Sequence, residues 1–288
     1  MVDVGHALNP IVVTGAQGYL GDAVCRALNR HGLQYAGLAH RPAGKLVACD
    51  MTDEASVRAH IAPHSHVIHC AAIVPSTAEG YADENAAAES LAMIDALLCT
   101  RPQHIVFPSS MTVYAPDAQM PVDESDVTSN AIGYAAGKIR AERKLLSSGI
   151  STSVLRLPGL FGPPRRDGLL YNAAIAFAAG KRPSLPADPP LWAALHVDDA
   201  ASYCVSLIQA PGLSSRILNV GYPGKFSISR AMQDLAALFA RPAPDMKEGP
   251  CFAMRLDRLQ AVQGLVASTW NQRLGELADW ATETAAPC

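Results

Sequence analysis

Tyr134 and Lys138 stand four positions apart in a segment, Tyr134 to Leu146, whose pattern predicts a helix, so the two side chains share one face. An ammonium beside a phenol stabilises the phenolate and lowers a tyrosine pKa from about 10 toward neutrality. Such a phenol suits a general acid/base that moves a proton to or from a hydroxyl. The spacing alone equally fits a solvated helix face. Upstream, an apolar run ends in Ser109-Ser110-Met111-Thr112-Val113-Tyr114. A serine hydroxyl at the C-terminal end of a strand could hold a carbonyl oxygen while Tyr134 transfers the proton. The alternative is that both serines only shape a turn.

Near the N-terminus, Ile11–Val13 leads into Thr14-Gly15-Ala16-Gln17-Gly18-Tyr19-Leu20-Gly21, with glycines spaced G-x-x-G-x-x-G. Glycines there let a strand turn tightly into a helix, bring backbone close to a pyrophosphate and pack the helix on the sheet. The helix N-terminus adds N–H groups and partial positive charge. Because the trio follows a predicted strand and opens a predicted helix, it reads as a dinucleotide site rather than an ordinary turn. Lys138 could then also hold nicotinamide ribose hydroxyls. The second predicted strand ends in Ala39-His40-Arg41, without the acid that holds the ribose 2′-hydroxyl in NAD sites. Arg41 could pair with a 2′-phosphate, which favours NADP and leaves NAD possible; otherwise it is a solvated loop arginine. Asp50 could accept from the adenine amino group or cap the next helix, a role that Asp53 fits better.

The elements that must position these groups alternate. Strands are expected at Ile11–Val13, Gln34–Ala39, Lys45–Cys49, His66–Cys70, His104–Phe107 and Thr152–Leu157, with helices at Gly21–Arg30, Glu84–Leu98 and Tyr134–Leu146. That order predicts an α/β fold with a parallel sheet covered on both faces. Beyond about residue 158 prolines punctuate the chain, and helices at Leu169–Ala179, Asp198–Gln209 and Ile228–Phe239 with a strand at Arg216–Val220 read as a smaller lobe. Asp198 or Asp199 is expected to cap the helix it begins. Trp192 is a core anchor or a cleft wall.

Composition narrows the function classes. Apolar residues are 49% and charged residues 17% of 288, enough for a core and incompatible with disorder. The net charge of −3 supplies no basic excess for nucleic acid. No apolar run approaches a membrane span, and Met1–Pro10 does not read as a secretory leader. The seven cysteines are scattered without a Cys-x-x-Cys pair, as expected of reduced thiols in a cytoplasmic protein. His64, His66 and His69 alternate as along one strand edge, with no second ligand pair at zinc spacing, so no metal is expected.

Taken in order, TGAQGYLG at 14–21, HCAA at 69–72, SSMTVY at 109–114, YAAGK at 134–138, LRLPGLFGP at 155–163 and HVDDAA at 196–201 resemble the extended short-chain dehydrogenase/reductases, the NAD(P)-dependent epimerase/dehydratase group. The resemblance covers nearly the whole chain, though nothing beyond residue 225 matches a motif. It implies a Rossmann-type doubly wound parallel sheet, residues 1–158 with returning segments near 196–221, and a small mixed substrate lobe, residues 159–195 and 222–288. It implies Ser110 as the carbonyl-orienting hydroxyl, Tyr134 as acid/base and Lys138 as its electrostatic partner. Gly15, Gly18, Tyr19, Leu20 and Gly21 would contact pyrophosphate, Asp50 and Met51 would flank adenine, Ala71 and Ala72 the ribose side, and Leu157 and Pro158 the nicotinamide. Related enzymes often form homodimers through two helices per subunit; Ala135, Ala136 and Ile139 would supply such a face or else be core.

The departures limit the reaction. Dehydratases of the group carry Asp-Glu directly after the catalytic hydroxyl, where this chain has Met111 and Thr112, so water elimination is not expected. Nucleotide-sugar epimerases carry an Asn and an Arg that bind the substrate diphosphate, where this chain has Gly159 and Trp192. Arg165 and Arg166 could replace them or be solvated. The expectation is therefore an NADP-dependent oxidoreductase acting on a small-molecule carbonyl or alcohol less charged than a nucleotide sugar. A sugar epimerase with tightly held cofactor is the alternative, and a non-catalytic NADP-sensing regulator the third reading.

Overall fold

The computed structural model describes residues 10–75, 77–126, 131–210, 214–262 and 268–285. In chain order the elements are β1 (Ile11–Thr14), α1 (Tyr19–Arg30), β2 (Tyr35–Ala39), β3 (Val47–Ala48), α2 (Glu54–His60), β4 (His66–His69), α3 (Ala78–Tyr81), α4 (Glu84–Leu98), β5 (His104–Ser110), α5 (Gly133–Ser147), β6 (Ser151–Leu157), β7 (Gly159–Phe161), α6 (Leu169–Ala178), β8 (Ala194–His196), α7 (Val197–Gln209), β9 (Arg216–Asn219), α8 (Ile228–Leu238), α9 (Asp257–Gln260) and α10 (Trp270–Ala285). Seven strands form a parallel sheet in the order β3-β2-β1-β4-β5-β6-β9. Strand order reverses between β1 and β4, paired in parallel with Ile11 opposite His66. In doubly wound sheets, ligands bind beyond the carboxyl ends of the strands at that switch point.

The chain divides into two compact units, Met1–Ser109, Ser129–Leu155 and Cys204–Ile217 forming the first, and Ser110–Thr128, Arg156–Tyr203 and Leu218–Cys288 the second. In the first, β-branched residues on alternate positions feed both faces of the sheet. Val12, Val67, Ile105 and Val154 join a core with Val57 of α2, Ile94 and Leu97 of α4, and Ala141 and Leu145 of α5. Val13, Ile68 and Val106 are equally buried, so their strands lack the polar alternation of a one-sided sheet. Gly137 lets α5 lie on α4: a Cβ there would stand 2.8 Å from that of Ala87. Asp53 caps α2 as expected, its carboxylate accepting from the N–H groups of Ala55 and Ser56, whereas Asp50 accepts from Thr52.

Elsewhere the structure adds to or corrects the sequence reading. The third strand shrinks to Val47–Ala48, and β7 pairs with β8 in a separate two-stranded parallel sheet. Helix α10 was not anticipated; it packs against α6 and α8 in the second unit. Ile139 is buried within the chain, while Ala135 and Ala136 are half-buried. His64, His66 and His69 serve separate ends: His64 adopts φ 64°, His66 meets Gln103, and His69 meets Thr14. Among the described residues no helix is long and apolar enough to cross a membrane.

Asp199 is not a helix cap. Its carboxylate accepts from the Tyr222 hydroxyl at 2.6 Å and from the Arg273 guanidinium at 2.5 Å, and it is 4% exposed. At the start of α7 the His196 ring meets the backbone, Nδ1 accepting from the Asp198 N–H at 3.2 Å. Burial pushes Asp199 up, but the Arg273 and Tyr222 hydrogen bonds outweigh it and leave the carboxyl below its ordinary value.

Candidate functional site

The glycine turn closes as its spacing requires. Gly15 adopts φ +64°, and a Cβ on it would stand 2.6 Å from the Ala71 backbone nitrogen. A Cβ on Gly21 would come within 2.1 Å of the Gly15 carbonyl oxygen, so α1 can start this close to β1 only with glycine there. Gly18 is the N-cap of α1 and supplies no side-chain bond, so no capping side chain stands between this helix N-terminus and an anion. The turn borders a groove of about 340 Å³ lined also by Gln17, Ala39, His40, Arg41 and Cys70 through Ala72. These features fit a dinucleotide: bare glycine backbone, a helix N-terminus and an exposed guanidinium at the end of β2. Tyr19 and Leu20 are half-buried at the start of α1. Asp50 is exposed, whereas the Met51 side chain belongs to the core.

Ala71 and Ala72 line both that groove and a smaller cavity of about 20 Å³, room for about one water, that touches Tyr134 and Lys138. The first unit therefore brings the glycine turn and the Tyr/Lys pair to adjoining spaces. Gly133 starts α5 at φ +51°, where a Cβ would stand 2.2 Å from the Tyr81 carbonyl oxygen, and the Tyr81 ring meets Tyr134 edge-on at 5.4 Å. Lys138 Nζ donates to the Pro108 carbonyl at 2.9 Å. It lies 4.7 Å from the Phe107 ring centre and 5.7 Å from that of Tyr134.

The electrostatics single out Lys138. Burial pulls its ammonium down to about 8, against the opposing pull of Glu142 and Cys70. Burial, reinforced by Lys138, takes His69 down to about 3, so its ring is neutral; Nδ1 lies 2.8 Å from the Thr14 hydroxyl. Burial likewise lifts the Cys70 thiol well above its ordinary value. Among these groups only Lys138 changes charge near neutral pH.

The two serines differ. Ser109 is buried and its hydroxyl donates to the Glu142 carboxylate at 2.5 Å. Ser110, half-buried at the end of β5, begins a short 3-10 turn, its oxygen accepting from the Thr112 N–H at 3.2 Å and the Thr112 hydroxyl at 3.0 Å. Turn formation and a proton to donate thus coexist at Ser110. In the second unit, Leu157 and Pro158 are buried, Gly159 and Arg165–Arg166 are exposed, and Trp192 is half-exposed with its ring 6.4 Å from that of Trp270. Tyr114 is embedded: its hydroxyl pairs with Asn219, it accepts from Arg156, and burial lifts it to about 12. Sequence reasoning missed Glu142, although its place four residues after Lys138 was a signal, and Arg273, whose segment carries no recognisable motif.

Comparison with known proteins identifies the family and the fold. The model of the NAD dependent epimerase/dehydratase family matches residues 11–221. The UDP-glucose 4-epimerase of Azospirillum brasilense is 25% identical over 92% of this chain and 89% of that protein. Among solved structures, UDP-N-acetylglucosamine 4-epimerase from Bacillus cereus superposes with a TM-score of 0.77 at 16% identity, covering 94% of this chain and 96% of that one. MoeE5, solved in complex with UDP-glucose and NAD, gives 0.76 at 20% identity, covering 96% and 100%. At such identities the structures establish the fold, and the family match establishes kinship: the chain belongs to the NAD dependent epimerase/dehydratase family, an enzyme family of the extended short-chain dehydrogenase/reductase type.

Proposed function

We propose that the protein is an NADP-dependent oxidoreductase that interconverts a carbonyl and an alcohol on a small, sugar-like or neutral substrate. The observation that carries this reading is the buried Lys138 ammonium 5.7 Å from the Tyr134 ring, in a cavity that shares Ala71 and Ala72 with the glycine groove. Tyr134 gives a proton to the carbonyl oxygen during reduction, or takes one from the hydroxyl during oxidation. Lys138 stabilises the phenolate electrostatically, Ser110 orients the substrate oxygen, and Arg41 faces the 2′-phosphate. A bound nicotinamide would supply or accept the hydride. Residues 159–195 and 222–288 form the substrate lobe in this reading. Gly159 and Trp192, in place of a polar pair, favour a substrate without a diphosphate.

A panel of carbonyl compounds assayed with NADPH and NADH in parallel tests the proposal. Stoichiometric NADPH oxidation is expected; interconversion of sugar isomers without net oxidation, by an enzyme that retains its nucleotide through purification, would overturn it. In the same assay Arg41→Ala is expected to weaken NADPH about ten- to hundredfold, the worth of a charge-assisted contact, and to leave NADH nearly unchanged. Equal loss with both nucleotides would remove Arg41 from the 2′-phosphate.

The pH profile has a definite sign. Lys138 is pulled down to about 8, so raising the pH through 8 removes the ammonium and with it the stabilisation of phenolate. The expected result is a kcat/KM that declines above about pH 8, since that parameter reports groups of the free enzyme. A profile flat to pH 10 would show that the cation is not needed.

A further inference from the structure

Two polar rungs tie α5 to the end of β5, and the proposed chemistry uses one of them. Lys138 Nζ donates to the Pro108 carbonyl at 2.9 Å, and the next residue along the strand, Ser109, donates through its hydroxyl to Glu142 at 2.5 Å. Lys138 and Glu142 are one helical turn apart on the same face of α5. Ser109 is 5% exposed and Glu142 3%. A carboxylate removed from water is costly unless it is hydrogen-bonded or paired. The other buried side chains of α5 besides its glycines are Ile139, Ala141 and Leu145, so packing alone would be served by an apolar side chain at 142.

Among the described residues the charges near Lys138 are few. Tyr134 and Glu142 come from α5 itself, His69 and Cys70 from the end of β4, and Phe107 with the Pro108 carbonyl from β5. Helix α4 contributes the uncharged Ala87, Ser90 and Ile94; its Asp95 pairs instead with Lys144. His69 and Cys70 are neutral for the reasons given above. Among the described groups facing Lys138, Glu142 is therefore the carboxylate that can balance the ammonium.

We propose that Glu142, anchored by the Ser109 hydroxyl, is a positioning residue of the reaction: it holds the Lys138 side chain in register and keeps it a cation beside Tyr134. This rests on Lys138 being the electrostatic partner of Tyr134. Glu142→Gln keeps an acceptor for Ser109 and the same shape but removes the charge. The expected result is that the alkaline decline of kcat/KM moves roughly one pH unit lower, with the folded far-ultraviolet spectrum retained. Glu142→Asp, which keeps the charge, brings the decline back toward the wild-type position. A folded Gln variant whose decline coincides with wild type overturns the proposal and leaves Glu142 a structural residue. Should the Gln variant fail to fold, Ser109→Ala decides: with its donor gone the carboxylate turns to the ammonium and the decline moves to higher pH, and an unmoved decline overturns the anchoring. A wild-type enzyme with no decline near pH 8 would instead reject the reading of Lys138, and the role of Glu142 with it.

Discussion

Tyr134→Phe is expected to lower kcat/KM by about 10²- to 10⁴-fold, the usual worth of a positioned acid/base, while the dissociation constant of NADPH stays within about twofold. The substitution removes a single hydroxyl. The ring that meets Tyr81 edge-on and lies near Lys138 is retained, and the residue is half-buried rather than part of the core, so no cavity is opened. A loss of that size is therefore chemical and not a loss of folded protein. Single-turnover oxidation of NADPH at saturating cofactor measures the first quantity, and NADPH fluorescence titration the second. Tyr114, the other tyrosine of the motif stretches, is no substitute, because burial lifts its phenol to about 12 and its hydroxyl is bonded to Asn219 and Arg156. Unchanged catalysis in the Phe variant would refute the assignment of the acid/base. A protein that only sensed the dinucleotide would have no turnover to lose.

What sequence could show, and what it could not, follows from the range of the forces involved. Val12, Val67 and Ile105 announce strands because a parallel sheet buried on both faces needs β-branched residues in short uninterrupted runs. The glycine turn was equally legible, since Gly15 and Gly21 answer to local sterics that no other residue meets. Helical spacing put Tyr134 and Lys138 on one face of α5, but not the burial of Lys138, because the same spacing fits a solvated face. By contrast, β7 and β8 are three residues each and hold together through pairing across more than thirty residues, with no periodicity long enough to read. Asp199 misled for a related reason: a carboxylate in a first helical turn ordinarily caps it, and nothing nearby discloses a partner at position 273. Glu142 lies between these cases. Its spacing from Lys138 was visible, but its meaning depends on Ser109, a residue 33 positions earlier that also fits a turn.

The partner at position 273 gives the second large effect. Arg273→Met is expected to destabilise the protein by about 3–5 kcal/mol, the cost of leaving a buried carboxylate without its cation. Asp199 is 4% exposed, whereas the Arg273 side chain is 15% exposed and also pairs with Glu276 at 2.6 Å. The two single substitutions should therefore be unequal. Arg273→Met strands a buried charge, with the Tyr222 hydroxyl still donating to it. Asp199→Asn leaves Arg273 with Glu276 and partial solvent, so its effect should be the smaller. The double variant Asp199→Asn/Arg273→Met should recover much of the loss of the Met variant, because the unpaired charge is gone. The pH dependence has a fixed sign too. A carboxyl held below its ordinary value contributes stability above the unfolded value of about 3.8 and loses it as pH falls through the folded value, so wild type should lose stability in that acid range more steeply than the double variant. Urea midpoints measured at neutral pH and again below pH 4 test all of this. A Met variant no less stable than the Asn variant would mean that Asp199 is neutralised by other means and that Arg273 does not pin the C-terminal helix through it.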